Sequence, residues 1–186
     1  MPLRVREQFK ETHVIDLPEY DYTSAGWYFI TICAHNRECV FGDVVDGKMI
    51  LNDYGKIIEE EWLRTSKIRP NVDLDKYIIM PNHIHGIITV VDRRGTLQRA
   101  PTTTREQFGK PISNSIPTII RLFKSTTTKQ INEIRQTSGK ELWQRNYYEH
   151  IIRDERELNK VREYIMYNPL KWEEDKENPK NIQVVG

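Results

Sequence analysis

Residues 77–91, Tyr-Ile-Ile-Met-Pro-Asn-His-Ile-His-Gly-Ile-Ile-Thr-Val-Val, constrain the fold more than any other stretch of this chain. Two apolar, β-branched segments flank a Pro-Asn pair, so the run reads as two strands joined by a tight turn at Pro81-Asn82. In a strand alternate side chains leave the same face. His83 and His85 therefore project together, while Ile84 points to the opposite side. At roughly 3.3 Å rise per residue the two imidazoles stand about 7 Å apart along the strand, close enough to converge on one cation by rotamer choice. Buried polar groups cost free energy unless partnered. Two histidines on one face of such a strand therefore mark a site.

The remaining elements follow from periodicity and punctuation. Residues 1–26 read as an N-terminal arm, and 27–34 as a first strand rich in aromatic and β-branched residues. Segments 38–42 and 48–52 read as short extended pieces around the Asp46-Gly47 turn. A helix is predicted from Asp53 to about Ser66, because Tyr54, Ile57, Ile58 and Trp62 recur at helical spacing. Strands at 74–80 and 83–91 come next. Residues 92–112 form a mobile basic loop by composition. A second helix spans about 113–136 on a stripe of Ile116, Ile119, Ile120, Phe123, Ile131 and Ile134, with Pro117 tolerated in its first turn. A short strand is expected at 146–152. A third helix begins at Asp154, where Glu157 lies three residues on as in a capping box, and it ends at Pro169. The order contains βαββαβ, an α+β ferredoxin-like (RRM-like) core. Its antiparallel sheet carries helices on one face, with an additional C-terminal helix. One domain, 27–172, and a polar, solvated tail, 173–186, complete the expected organisation.

Net charge excludes little: 28 Lys and Arg stand against 27 Asp and Glu. Distribution says more. Between residues 93 and 129 lie Arg93, Arg94, Arg99, Arg105, Lys110, Arg121, Lys124 and Lys129, opposed by Glu106 alone, a footprint suited to a polyanion. Two cysteines, Cys33 and Cys39, are too few for a disulfide framework and form no CxxC pair. No apolar run reaches membrane-spanning length. The expectation is a soluble cytoplasmic protein.

The third helix adds chemistry. Leu158, Val161 and Ile165 form its core stripe, and Glu157, Lys160, Tyr164 and Asn168 a neighbouring stripe of functional groups. Tyr164 and Asn168 are one turn apart and point the same way. Phosphodiester cleavage needs a cation to withdraw charge from the non-bridging oxygens and a nucleophile in line with the leaving oxygen. His83 and His85 are suited to hold Mg²⁺ or Mn²⁺, with Asn168 as a further ligand through its amide oxygen. Imidazoles alone suit Zn²⁺ as well. A tyrosine can attack phosphorus and conserve the bond energy for religation.

His83-Ile84-His85 has the His-hydrophobic-His form of the HUH nucleases, and Met80-Pro81-Asn82-His83-Ile84-His85-Gly86 resembles the single-tyrosine transposases. Trp143-Gln144-Arg145-Asn146-Tyr147-Tyr148-Glu149-His150-Ile151-Ile152-Arg153, then Tyr164-Ile165-Met166-Tyr167-Asn168-Pro169, resemble the REP-associated tyrosine transposases of bacteria. The resemblance spans about residues 20 to 172. It implies a ferredoxin-like fold and metal-dependent cleavage and rejoining of single-stranded DNA near palindromic hairpins, through a 5′-phosphotyrosine. It places the metal on His83 and His85 and the nucleophile at Tyr164. Asn168 stands where insertion-sequence relatives carry a ligating Gln. It also implies a monomer or homodimer working on DNA in the bacterial cytoplasm, associated with the nucleoid.

Tyr147, Tyr148 and Tyr167 are rival nucleophiles; Tyr167 lies only about 60° around the helix from Tyr164. His150 is assigned a structural hydrogen bond. Arg93, Arg94, Arg99, Arg105, Lys110, Arg121, Lys124 and Arg145 are the candidate DNA contacts. Two other readings are a relaxase- or replication-initiator-like nicking protein and a non-catalytic RRM-like nucleic-acid-binding module.

Overall fold

Strand β1, Gly26–Cys33, is the axis of the protein, shown here by a computed structural model that describes residues 25–91 and 115–181. The expected N-terminal arm, save Ala25 and Gly26, and the whole of the expected basic loop lie outside the described residues. So do the last residues of the tail. After β1 come the hairpin β2 (Gly42–Val45) and β3 (Lys48–Leu51), helix α1 (Asp53–Lys67), and strands β4 (Val72–Met80) and β5 (His83–Val90). Helix α2 (Ile116–Arg135), strand β6 (Tyr148–Ile152) and helix α3 (Glu155–Tyr167) complete the main elements.

Each helix starts where a polar side chain accepts a backbone N–H that the first turn leaves without an intrahelical partner. Asn52 accepts from Gly55, Ser115 from Thr118 and Asp154 from Glu157.

The main sheet has the order β4-β5-β1-β6, antiparallel throughout. This is the ferredoxin-like arrangement of β1-α1-β4-β5-α2-β6. Strand alternation then divides the core in two. Tyr28, Ile30, Ile32, Ile84 and Ile88 face α1 and α2, packing with Ile58, Trp62, Ile119, Ile120 and Phe123. Phe29, Ile87 and Ile152 face the other way, under Leu158, Val161 and Ile165 of α3. So α3 covers the face that α1 and α2 leave open, and Arg162 clamps it to β4 through Asp75 (Nε to Oδ1, 3.0 Å).

Two expectations need correction. The first hairpin arm is Gly42–Val45, not 38–42. Asp46 and Gly47 both adopt left-handed φ (49° and 70°), a two-residue turn that pairs the residues directly flanking it. Val40 and Phe41 instead donate their backbone N–H groups to Pro81 O. Nor is the segment after Trp172 a solvated tail. It continues in 3₁₀ turns at Pro169–Glu174 and Pro179–Asn181, with Trp172, Glu177 and Asn178 buried. Among the described residues no helix is long and apolar enough to cross a membrane.

Candidate metal and nucleophile site

Register builds the site. In the β1–β5 ladder Thr31 lies opposite His85 and Cys33 opposite His83, all four on the α3 face of the sheet. Both histidines are fully buried, their rings 4.5 Å apart between centroids. Thr31 Oγ1 is 2.8 Å from His85 Nδ1, and Asn82 Oδ1 is 2.8 Å from His83 Nδ1. Each ring is thus held at Nδ1 by a neighbour.

The packing of α3 on Phe29 brings in the tyrosine. Tyr164 meets Phe29 edge-on, centroids 6.0 Å apart at 89°, a favoured aromatic geometry. Its Oη then lies 3.2 Å from Nε2 of His85. Two of the rivals sit elsewhere, while Tyr148 shares the α3 face with Tyr164, opposite Thr31 in the β1–β6 ladder. Tyr147 packs against the α1/α2 core and donates to Glu149, Tyr148 stands edge-on to Phe29, and Tyr167 is 46% exposed.

Past the helix, the chain doubles back and delivers Asp175. One ligand atom each from His83, His85 and Asp175 lie within 4.8 Å of one another. Asn168, 2% exposed, donates from Nδ2 to Asp175 Oδ2 at 3.2 Å, and its Oδ1 has no hydrogen-bond partner among the described residues. A buried amide oxygen left so is costly. The two imidazoles and the Asp175 carboxylate form a donor set that suits a divalent cation of the Mn²⁺ or Zn²⁺ type, with Asn168 bonded to that carboxylate.

Sequence reasoning placed His83, His85, Tyr164 and Asn168, and the structure brings them together. It missed Asp175, because Pro169 ends the helical period that had located Tyr164 and Asn168. The available signal was Trp172, a large apolar side chain in a polar stretch, which anchors the segment beside His83 (ring centroids 6.0 Å apart).

The other candidates are spread out. His150 Nε2 is 2.9 Å from Glu157 Oε1, while Glu157 Oε2 accepts from the Arg153 N–H, so this pair pins the β6–α3 corner. Arg121 and Arg145 are exposed. Lys124 is not presented to solvent in the same way. Its Nζ donates to the carbonyls of Gln144 and Asn146 at 3.0 and 2.9 Å, and burial pushes its pKa down to about 8. Arg93, Arg94, Arg99, Arg105 and Lys110 lie outside the described residues. Lys129, Lys140 and Arg145 line a cleft of about 880 Å³ between α2 and the 138–145 segment.

No family model matches the chain. It is 40% identical over 163 residues to an uncharacterised protein of Haemophilus influenzae, covering 87% of this chain and 89% of that one. A second Haemophilus influenzae protein, provisionally named a REP-associated tyrosine transposase, is 28% identical over 151 residues, covering 81% of this chain and 74% of its own length. Among solved structures, a REP-associated tyrosine transposase bound to a REP hairpin has a similar fold, with a TM-score of 0.53 at 20% identity. The match covers 82% of this chain and 72% of that one.

Proposed function

We propose that this chain, similar to REP-associated tyrosine transposases, cleaves and rejoins single-stranded DNA beside hairpins through a covalent phosphotyrosine. One observation carries the reading: Tyr164 Oη stands 3.2 Å from the Nε2 of His85, where His83 and Asp175 also converge. A divalent cation held by His83, His85, Asp175 and the Asn168 amide oxygen supplies charge withdrawal from the non-bridging phosphate oxygens when bound.

The steps assigned to the protein are few. Tyr164 Oη forms a bond to phosphorus, the P–O3′ bond breaks, and the 3′-oxygen takes a proton from solvent and leaves as a hydroxyl. The phenolic proton passes to solvent. Rejoining is the reverse, with a DNA 3′-hydroxyl displacing the tyrosyl oxygen. Phe29 and the α3 packing hold the phenol's approach, which lowers the entropic cost of alignment. Exposed Arg121 and Arg145, with the basic 93–110 stretch, are assigned to phosphates. The place of action on this reading is the bacterial cytoplasm, at the nucleoid.

A non-catalytic RRM-like module would stack bases on its open sheet face. Here α3 and the C-terminal turns cover that face, which favours the enzyme. The test is a denaturing gel for a covalent adduct on hairpin-flanked single-stranded DNA with Mn²⁺, followed by peptide mapping. The adduct is expected on Tyr164, and both Tyr164→Phe and His83→Ala should lose it. An adduct that survives Tyr164→Phe moves the nucleophile elsewhere. DNA binding with no adduct in Mg²⁺ or Mn²⁺ leaves a binding module.

A further inference from the structure

Two carbonyl oxygens decide which way the carboxamide of Asn82 faces. The residue sits fully buried in the turn between β4 and β5. Its Nδ2 lies 2.6 Å from Glu177 O and 3.0 Å from Arg37 O. Carbonyls only accept, so both contacts require the NH₂ end of the amide. That fixes Oδ1 on the other side, 2.8 Å from His83 Nδ1. An amide oxygen also only accepts. Nδ1 of His83 must therefore carry its ring proton, which leaves Nε2 as the ligand atom of the neutral ring.

At His85 the Thr31 hydroxyl at Nδ1 and the Tyr164 hydroxyl at Nε2 can each donate or accept, so these two contacts do not select a tautomer.

The same amide reaches the other side of the metal cluster. Glu177, whose carbonyl receives Asn82, donates its own N–H to Asp175 Oδ1 at 2.7 Å. Its carboxylate is held by Arg37 Nε at 2.8 Å. His83, Asn82, Glu177 and Asp175 are thus joined in sequence by hydrogen bonds.

We propose that Asn82 is a positioning residue for the metal centre: it holds His83 in the Nδ1–H tautomer and links that ring to the segment supplying Asp175. The inference rests on the metal reading given above, and partners of this type at ligating imidazoles are worth roughly 10–100-fold in metal affinity. It predicts that the turn residue before the first histidine cannot be exchanged freely.

The test uses the full chain with ¹⁵N-labelled histidine. Long-range ¹H–¹⁵N spectra without metal should show His83 as the Nδ1–H tautomer. Asn82→Ala should shift it towards Nε2–H and weaken the calorimetric Kd for Mn²⁺ about tenfold or more. Asn82→Asp keeps the acceptor but removes both donors, so it should retain the tautomer and lose less affinity than Asn82→Ala. An Nε2–H tautomer on His83 in the wild type overturns the proposal without need of a variant, as does Mn²⁺ binding by Asn82→Ala within twofold of wild type. If the wild type binds no Mn²⁺, the metal reading fails instead, and the tautomer spectrum still decides the role of Asn82.

Discussion

A Cβ built on Gly86 would lie 2.3 Å from Cζ2 of Trp62. Gly86 follows His85 on β5 but faces the opposite side of the sheet, where Trp62 of α1 lies against the bare backbone, fully buried. The residue next to the site is therefore fixed by the core and not by chemistry. Gly86→Ala should destabilise the fold by about 1–3 kcal/mol, as overpacked cores do, read from urea unfolding followed by tryptophan fluorescence. An unchanged midpoint would mean that Trp62 moves aside at no cost. At this scale legibility depends on period. His83 and His85 announce themselves by alternation along a strand, and Tyr164 and Asn168 by a helical turn. Asp175 and Asn82 obey no period, because one lies beyond a proline and the other in a turn. Their roles come from hydrogen bonds between residues far apart in the chain, which spacing cannot encode.

Between elements, Lys124, one of the candidate DNA contacts, ties two segments together. Lys124 of α2 holds the carbonyls of Gln144 and Asn146, the approach to β6, and burial lowers its pKa from 10.5 to about 8. The direction of the consequence follows from proton counting. Between about pH 8 and 10.5 the folded chain has released a proton that the unfolded chain still binds, so this group makes stability rise with pH across that window. The difference in unfolding free energy between wild type and Lys124→Met should carry this slope and flatten below pH 8. A difference constant from pH 7 to 10.5 would refute the shift. A lysine next to a carbonyl-lined loop has no signature in a linear sequence, whereas a helix has one. All three helices were legible from their apolar stripes, and the third also from its Asp154 cap. The first arm of the hairpin was misplaced by four residues because the apolar segment at its start bonds to Pro81 instead of to β3.

Considered whole, one chain supplies every group in the cluster: Thr31 from β1, His83 and His85 from β5, Tyr164 from α3 and Asp175 from the turns beyond it. Nothing in this arrangement calls for a second protomer. Mixing Tyr164→Phe with His83→Ala should therefore restore no cleavage, whereas a site shared across a dimer interface would regain it. Size-exclusion chromatography of the same mixture would report any dimer that forms without sharing its site. The βαββαβ order and the extra helix were readable because each element carries its own pattern. That α3 occupies the face opposite α1 and α2 was not. That placement depends on the odd-numbered residues of β1, Phe29 above all, finding an apolar partner late in the chain.

The alternation of β5 also shapes how a lineage of such proteins can change. His83 and His85 alternate with Ile84 and Gly86, so a slip of one residue would turn both imidazoles onto the face packed by α1 and α2 and put Ile84 in the site beneath α3. Loss or gain of a single codon in this strand destroys scaffold and chemistry together. On the proposed reading, a codon substitution at Tyr164, half-exposed on its helix, would remove the chemistry and spare the scaffold. Descendants that have given up cutting DNA but kept their shape should thus differ from their ancestors by substitutions, with the length of this strand unchanged.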